Sequence, residues 1–418
     1  MNPRISSPVL VVGAGIAGIT TALETAESGH EVILVEREAW VGGRVLRNHQ
    51  YFPKLCPPSC GMEINIRRLE RNPRIQVWVD SQVTRASVDG QKWSVLLKQA
   101  PQYVNQRCTA CGECSRVCPA QVPDSFNLGM NQVKNIRLSH PDAWPRRFTL
   151  DRQACPKGCQ ACLTACQYDA IDLKATPREQ TLEISSVVLA TGWKPYPLEK
   201  LTQFGGGSFA DVISNVQMER MASKAGPTDG KILRPSDGAP PKRVAFVQCA
   251  GSRDVNHLAY CSAVCCLASF KQTLYIKEQL PDCQVSIFYI DRRAPGRNEE
   301  MAERVAGLPG VRLIKGKVGK IGMGPEGKLL LRVEDVEAGR LLEESADMVV
   351  LATGMVSNLL DGSLTFDVQK DDDGFGRDSD AARMFVAGVA RRPEDVANSV
   401  REATAAAAKA LVATRRAS

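Results

Sequence analysis

Short apolar runs punctuate the chain, and each ends in glycine or a turn. The first, VLVV at 9–12, runs into Gly13-x-Gly15-x-x-Gly18 and then into a helical stretch, ITTALETAESG. A second run, EVILVE, ends at Glu36. This strand–turn–helix–strand pattern predicts a βαβ unit. Gly13 permits the tight turn, Gly15 lets a pyrophosphate approach the backbone, and Gly18 lets the helix pack closely on the strand. The helix then offers its positive end to the phosphate. Glu36, at the end of the second strand, is placed to bind a ribose diol. Two later runs, VVLATGW at 187–193 and VVLATGM at 349–355, predict short buried strands. A further strand, RVAFVQCA, opens a second αβ region at about 243–290, but the loop after it lacks a second Gly-x-Gly-x-x-Gly. The glycine run at 205–207 and the proline-rich stretch at 226–241 read as a hinge or surface loop.

The 418 residues suggest two to three domains, and 44% hydrophobic content suits a globular chain with a real core. The net charge of +7 is spread along the chain, and no basic block argues for nucleic acid. The start, MNPRISSP, has no secretory pattern, and no apolar run reaches the ~18 residues of a membrane span. A cytoplasmic protein is expected. In that setting, 15 cysteines point to metal ligands or redox thiols rather than structural disulfides.

Their spacing narrows the chemistry. Cys108, Cys111, Cys114 and Cys118, followed by Pro119, form C-x2-C-x2-C-x3-C-P, the bacterial ferredoxin pattern. Cys155, Cys159, Cys162 and Cys166 follow as C-x3-C-x2-C-x3-C. Two [4Fe–4S] clusters are expected. Zinc sites, which favour two short pairs separated by a longer loop, fit this spacing poorly. Where the fourth cysteine of each quartet serves the other cluster, Cys108, Cys111, Cys114 and Cys166 hold one, and Cys155, Cys159, Cys162 and Cys118 the other. The alternative is that each quartet holds its own. A third set is Cys249, Cys261, Cys265 and Cys266, spaced C-x11-C-x3-C-C. It suggests a third [4Fe–4S] cluster, against the alternative of buried structural thiols. None of the four histidines joins a motif, and no Ser/His/Asp set is visible.

The Gly42-Gly43-Arg44 that follows Glu36 resembles FAD-binding members of the glutathione reductase and thioredoxin reductase class. The two ATG segments and MFVAGVARRPEDVANSVREATAAAAKAL near the end are similar to segments of the same class. The resemblance implies an α/β fold of two dinucleotide-type domains, interrupted by a ferredoxin-like insertion. It also implies FAD contacts from Gly43, Arg44, Thr191, Gly192, Gly354 and Gly388. The chain departs from the class at Val389, where an Asp is usual. The expected organisation is FAD domain at 1–100, insertion at 101–174, return and linker at 175–235, second αβ domain at 236–344, and last FAD segment at 345–418.

The FAD fold, the insertion and VQCAGSRD…YCSAVCC together resemble the A subunit of heterodisulfide reductases. Within that superfamily, QYFPKLCPPSCGMEINIRRLERNP at 50–73 resembles the A subunit of the quinone-interacting membrane-bound oxidoreductase complex. That resemblance implies a second flavin–iron–sulfur subunit, a membrane haem and quinone subunit, and adenylylsulfate reductase as partners. The protein would then be membrane-associated through its partners. Cys56 and Cys60 lie in the same segment. They are candidates for a redox disulfide against the flavin, for ligands of an extra centre, or for a structural pair. The competing functions are an electron-transfer subunit, a stand-alone NAD(P)H-dependent disulfide reductase using Cys56 and Cys60, and a cluster-bearing scaffold.

Overall fold

The computed structural model describes residues 8–90 and 92–417. Strands Val9–Val12, Val32–Val35, Ile75–Trp78, Ser186–Leu189 and Met384–Val386 form one parallel sheet, with Val9–Val12 central. Side chains alternate across it, as the pleat requires. Val9, Val11, Leu34, Val188 and Phe385 face helices Ile16–Glu27, Pro58–Arg71 and Val396–Ala417. Leu10, Val12, Ile33, Val187 and Val386 face a second, antiparallel sheet through Trp93, Val95 and Leu97. Alanines 403, 406 and 410 are buried on Val396–Ala417, and that helix packs on Ile16–Glu27. Their small side chains let the two helices approach closely.

The antiparallel sheet explains where the insertion sits. Strands Lys92–Gln99 and Arg178–Ile184 pair in register, with Gln99 opposite Arg178. Everything between them grows from the end of one hairpin. The stem is closed by a bridge between Val104 and Ile171. Beyond it are two short strand pairs and two short helices, Glu113–Arg116 and Ala161–Ala165, which pack together. A second anchor ties the insertion to the main body. Phe126 and His140 stack at 4.4 Å between ring centroids, and both meet Trp40 edge-on.

The second body is a seven-stranded sheet in the order Val212–Ser214, Met348–Thr353, Arg243–Ala250, Gln284–Tyr289, Val311–Met323, Leu329–Asp335, Arg340–Ala346. Its first five strands are parallel and the last two pairings antiparallel. The boundaries expected at 236 and 344 therefore fall inside this sheet, because Val212–Ser214 and Met348–Thr353 both pair within it. Between the glycine run at 205–207 and the proline-rich stretch at 226–241 lies helix Asn215–Ala222. Ser214 caps it with a reciprocal Ser–Gln box, and Met218, Arg220 and Met221 are buried beneath it. The chain crosses between the two bodies through a two-stranded antiparallel bridge, Trp193–Pro195 with Met355–Ser357.

Candidate functional site

A cavity of about 340 Å³ runs from the first βαβ turn to the face of the second body. At one end the backbone is drawn close. Gly42 donates to the Ala14 carbonyl at 2.7 Å, and a Cβ on Gly43 would stand 2.8 Å from the Gly15 Cα. A Cβ on Gly18 would lie 1.7 Å from the Gly13 carbonyl oxygen, so glycine is obligatory there for packing. The Glu36 carboxylate accepts from the backbone N–H of Ala14 at 2.7 Å and of Glu38 at 3.0 Å. These bonds favour its charge, but burial prevails and moves its pKa upward.

Of the cofactor residues expected from sequence, Gly13, Gly15, Glu36, Gly43, Arg44, Thr191 and Gly192 line the cavity. Gly18, Gly354 and Gly388 do not. Gly388, at φ +62°, packs against Ala17, and its neighbours Ala387 and Val389 reach the cavity instead. Gly354 packs on Ser252, Leu258 and Ser262, beneath the third cysteine set.

Several polar atoms of the lining are unpaired, and this tests the fit of a dinucleotide. Arg44 Nε, Arg47 Nε, Thr191 Oγ1, Gln272 Oε1, Asn358 Oδ1 and Glu394 Oε2 are buried without hydrogen-bond partners, and all belong to cavity residues. Buried polar atoms are normally paired, so a cluster of orphans marks a place for a polar ligand. Arg44 and Arg47 share one helical turn. Burial, with Arg47 nearby, pulls the Arg44 pKa down to about 9. An anion between these guanidiniums would reverse that cost. The residues present therefore fit FAD, a dinucleotide whose pyrophosphate supplies such an anion.

At its other end the cavity meets a buried ion pair that sequence reasoning missed. Lys271 Nζ lies 3.0 Å from Glu219 Oε1 and donates to the Gln50 carbonyl at 2.6 Å. Glu219 also accepts from the His49 N–H at 2.9 Å, Gln272 Nε2 at 2.7 Å and the Tyr275 hydroxyl at 3.5 Å. Lys271 is 3% exposed and Glu219 4%. Such a pair survives burial only because its remaining bonds are satisfied.

The insertion gathers cysteines of both quartets into one small core. Cys114, Cys118 and Cys162 are buried beside Val104, Ile136, Phe148 and Ile171, with Cys108 and Cys166 packed on them. Burial pushes the Cys114 thiol up to about 11, with Cys108, Cys111 and Cys162 adding repulsion. Burial likewise raises Cys162, beside Cys155 and Cys159. Uncharged N–H groups reach the sulfurs at 3.4 Å: Ala110 to Cys108, Ala170 to Cys166, and the Asn135 amide to Cys155.

The third set forms at the end of strand Arg243–Ala250. Cys265 and Cys266 open helix Cys265–Gln279 and are buried; Cys249 and Cys261 are half-buried. Burial raises the Cys265 thiol well above its usual range, with Cys249, Cys266 and Cys261 contributing. The local backbone repeats that of the insertion. Ala110 and Ala263, each two residues past a cysteine, take φ of +57° and +62°. Each donates its N–H to that cysteine's sulfur at 3.4 Å. Among the described residues no group of three or more Cys, His, Asp or Glu is placed to hold a single metal ion. The cysteine spacing and the N–H groups turned onto the sulfurs fit iron–sulfur clusters.

Cys56 and Cys60 are exposed, around the start of helix Pro58–Arg71, and do not line the cavity. It is Phe52, earlier in the same segment, that reaches it.

Comparison with known proteins agrees with this geometry. Residues 8–49 match the family model described as FAD dependent oxidoreductase. The fold is similar to thioredoxin reductase of Lactococcus lactis, with a TM-score of 0.53 at 14% identity over 98% of this chain and 99% of that one. It is equally similar to the bacillithiol disulfide reductase of Bacillus cereus, with a TM-score of 0.53 at 12% identity over the same shares. The A subunit of the ferredoxin/F(420)H(2)-dependent CoB-CoM heterodisulfide reductase of Methanosarcina acetivorans is 34% identical over 98% of this chain and 53% of its own length. The first of two iron-sulfur A subunits of the CoB–CoM heterodisulfide reductase of Methanopyrus kandleri is 36% identical over 98% of this chain and 64% of its own length. The chain thus spans about half to two thirds of these curated relatives. Over nearly all of its own length, the chain is similar to the A subunit of heterodisulfide reductases.

Proposed function

We propose that the chain is an FAD- and iron–sulfur-dependent oxidoreductase subunit that transfers electrons within a larger complex. The observation that carries this reading is the conjunction, in one fold, of a cavity lined by the glycine turn and unpaired polar groups with three part-buried sets of four cysteines. When bound, FAD would exchange electrons in pairs and the clusters singly. Arg44 and Arg47 would hold the pyrophosphate and Glu36 a ribose. Glu394 offers a carboxylate on the cavity wall where Val389 cannot. Lys271 and Glu219 hold a proton and a counter-charge at the end nearest the second body. Lys271 Nζ is the donor atom there. Crossed pairing assigns Cys108, Cys111, Cys114 and Cys166 to one cluster and Cys155, Cys159, Cys162 and Cys118 to another. Cys249, Cys261, Cys265 and Cys266 take a third.

The segment at 50–73 supports a finer reading. The complex would link the quinone pool to dissimilatory sulfur metabolism. Its other members would be adenylylsulfate reductase, a second flavin–iron–sulfur protein and a membrane haem subunit. The chain would then be cytoplasmic and reach the membrane through those partners. No helix among the described residues is long and apolar enough to cross a membrane. The rival disulfide-reductase reading needs thiols against the flavin, and Cys56 and Cys60 stand outside the cavity. The test is iron, acid-labile sulfide and flavin content of the anaerobically purified chain, with EPR after reduction. The reading expects about twelve irons, as three cubanes require, and one FAD. Zinc without sulfide would overturn it. Co-purification with the named partners from the native source tests the finer reading.

A further inference from the structure

A charged side chain stands beside the third cysteine set: the Arg253 guanidinium favours the Cys249 thiolate against the burial that pushes that thiol up. The guanidinium also lies 2.8 Å from Asp291 Oδ2, in the turn that follows strand Gln284–Tyr289. Asp291 has a second cation, Arg293, at 3.8 Å. The same turn borders Cys266, whose sulfur lies 3.5 Å from the Asp291 carbonyl. Arg253 is not a loose surface side chain. Its backbone N–H is bound to the Tyr260 carbonyl at 3.0 Å, and its neighbour Ser252 bridges Leu258, so the loop from Cys249 to Cys261 is closed upon itself. By contrast, the hydrogen bonds reaching Cys108, Cys155 and Cys166 come from uncharged groups.

We propose that Arg253, oriented by Asp291, is a positioning residue that sets the reduction potential of the centre held by Cys249, Cys261, Cys265 and Cys266. The inference rests on the third-cluster reading given above. A cubane's potential follows its net charge and the hydrogen bonds to its sulfurs. Reduction adds one electron, with no bond made or broken. A cation beside a ligand sulfur stabilises that added charge and raises the potential. The device therefore makes this centre the more readily reduced one relative to a cluster bound only by neutral donors.

The experiment is an EPR-monitored potentiometric titration of the full chain, anaerobic, with electrons supplied through mediators by dithionite. The third-centre signal is identified as the one missing from Cys261→Ser. Arg253→Met is expected to make that centre about tenfold less reduced at fixed ambient potential, a fall of ~59 mV for one electron. Arg253→Lys, which keeps the charge, is expected to recover most of the shift. Asp291→Asn, which removes the opposing charge, is expected to move the potential upward. It keeps the test open if Arg253→Met fails to assemble iron. An unmoved potential in Arg253→Met, or a fall in Asp291→Asn, with about twelve irons retained, overturns the role of Arg253 alone. About eight irons in the unaltered chain overturn the third cluster, and this inference with it.

Discussion

The insertion and the third cysteine set use the same local device, a left-handed alanine that turns its N–H onto a cysteine sulfur, but in opposite surroundings. In the insertion the cysteines are themselves much of the core. Cys114, Cys118 and Cys162 share it with only four fully buried apolar side chains, and the elements around it are strands of two or three residues and helices of four or five. In the second body the cysteines sit at the rim of a seven-stranded sheet with its own layers of Phe246, Ile287, Val350 and Phe288. On the proposed reading, the first region would need its clusters to be a structure, and the second would be one without them. Binding free energy is folding free energy only where no site preexists.

Removing the iron should separate the two regions most sharply. After anaerobic chelation, amides between Val104 and Ile171 are expected to lose about a hundredfold or more of their hydrogen-exchange protection, as regions of low local stability do. Strands Arg243–Ala250 and Gln284–Tyr289 should keep theirs. Equal loss in both would break the comparison.

The second body should instead be sensitive to its own buried charges. Lys271→Met leaves Glu219 buried with its cation gone, at a cost of about 3–5 kcal/mol. Urea melts followed at the second body read this out; a change under about 1 kcal/mol would show that the pair is not integral to it.

Acid offers a third lever, this time on the insertion's anchor. Burial, with Arg220 and Arg47 nearby, lowers the His140 pKa from 6.5 to about 3. Below about 6.5 the unfolded chain binds a proton that the folded chain refuses, so stability falls as pH drops towards about 3, by at most ~1.4 kcal/mol per pH unit. His140→Gln is expected to flatten this slope in acid titrations monitored by Trp40 fluorescence. An unchanged slope would place the acid sensitivity elsewhere.

The smallest effect is expected where neither region is touched. Cys56→Ser with Cys60→Ser should change stability by less than ~0.5 kcal/mol and leave flavin and iron content intact. Loss of either cofactor would restore these thiols to the site.

Sequence and structure part company in a physically intelligible way. The βαβ turn was legible because Gly13, with a positive φ, and Gly18, held against the Gly13 carbonyl, answer to local demands. The cysteine sets were legible because ligand spacing is local too. The cavity's far end was not. Glu219 and Lys271 are 52 residues apart, and an isolated Glu or Lys carries no sign that it will be buried. Helix Asn215–Ala222 was hidden for another reason: it has eight residues and lies between a glycine run and a proline-rich stretch. Only its Ser214–Gln217 capping box signalled it. Arg47 stood three places beyond the recognised Arg44, one helical turn away, and a reading centred on Gly-Gly-Arg stopped short of it.

The register of Gln99 opposite Arg178 has a consequence for how such a protein can be built. A hairpin whose two ends already meet places almost no demand on what lies beyond them. Doubling the length of a flexible loop costs only about 0.6 kcal/mol of closure entropy. The host sheet is thus a socket: a turn can be exchanged there for a wired module, or the module for a turn, without redrawing the strands on either side. The plug of Phe126 and His140 against Trp40 would need to be refitted, together with contacts such as Arg220 with Asn127 and the Val41 N–H with the Trp144 carbonyl.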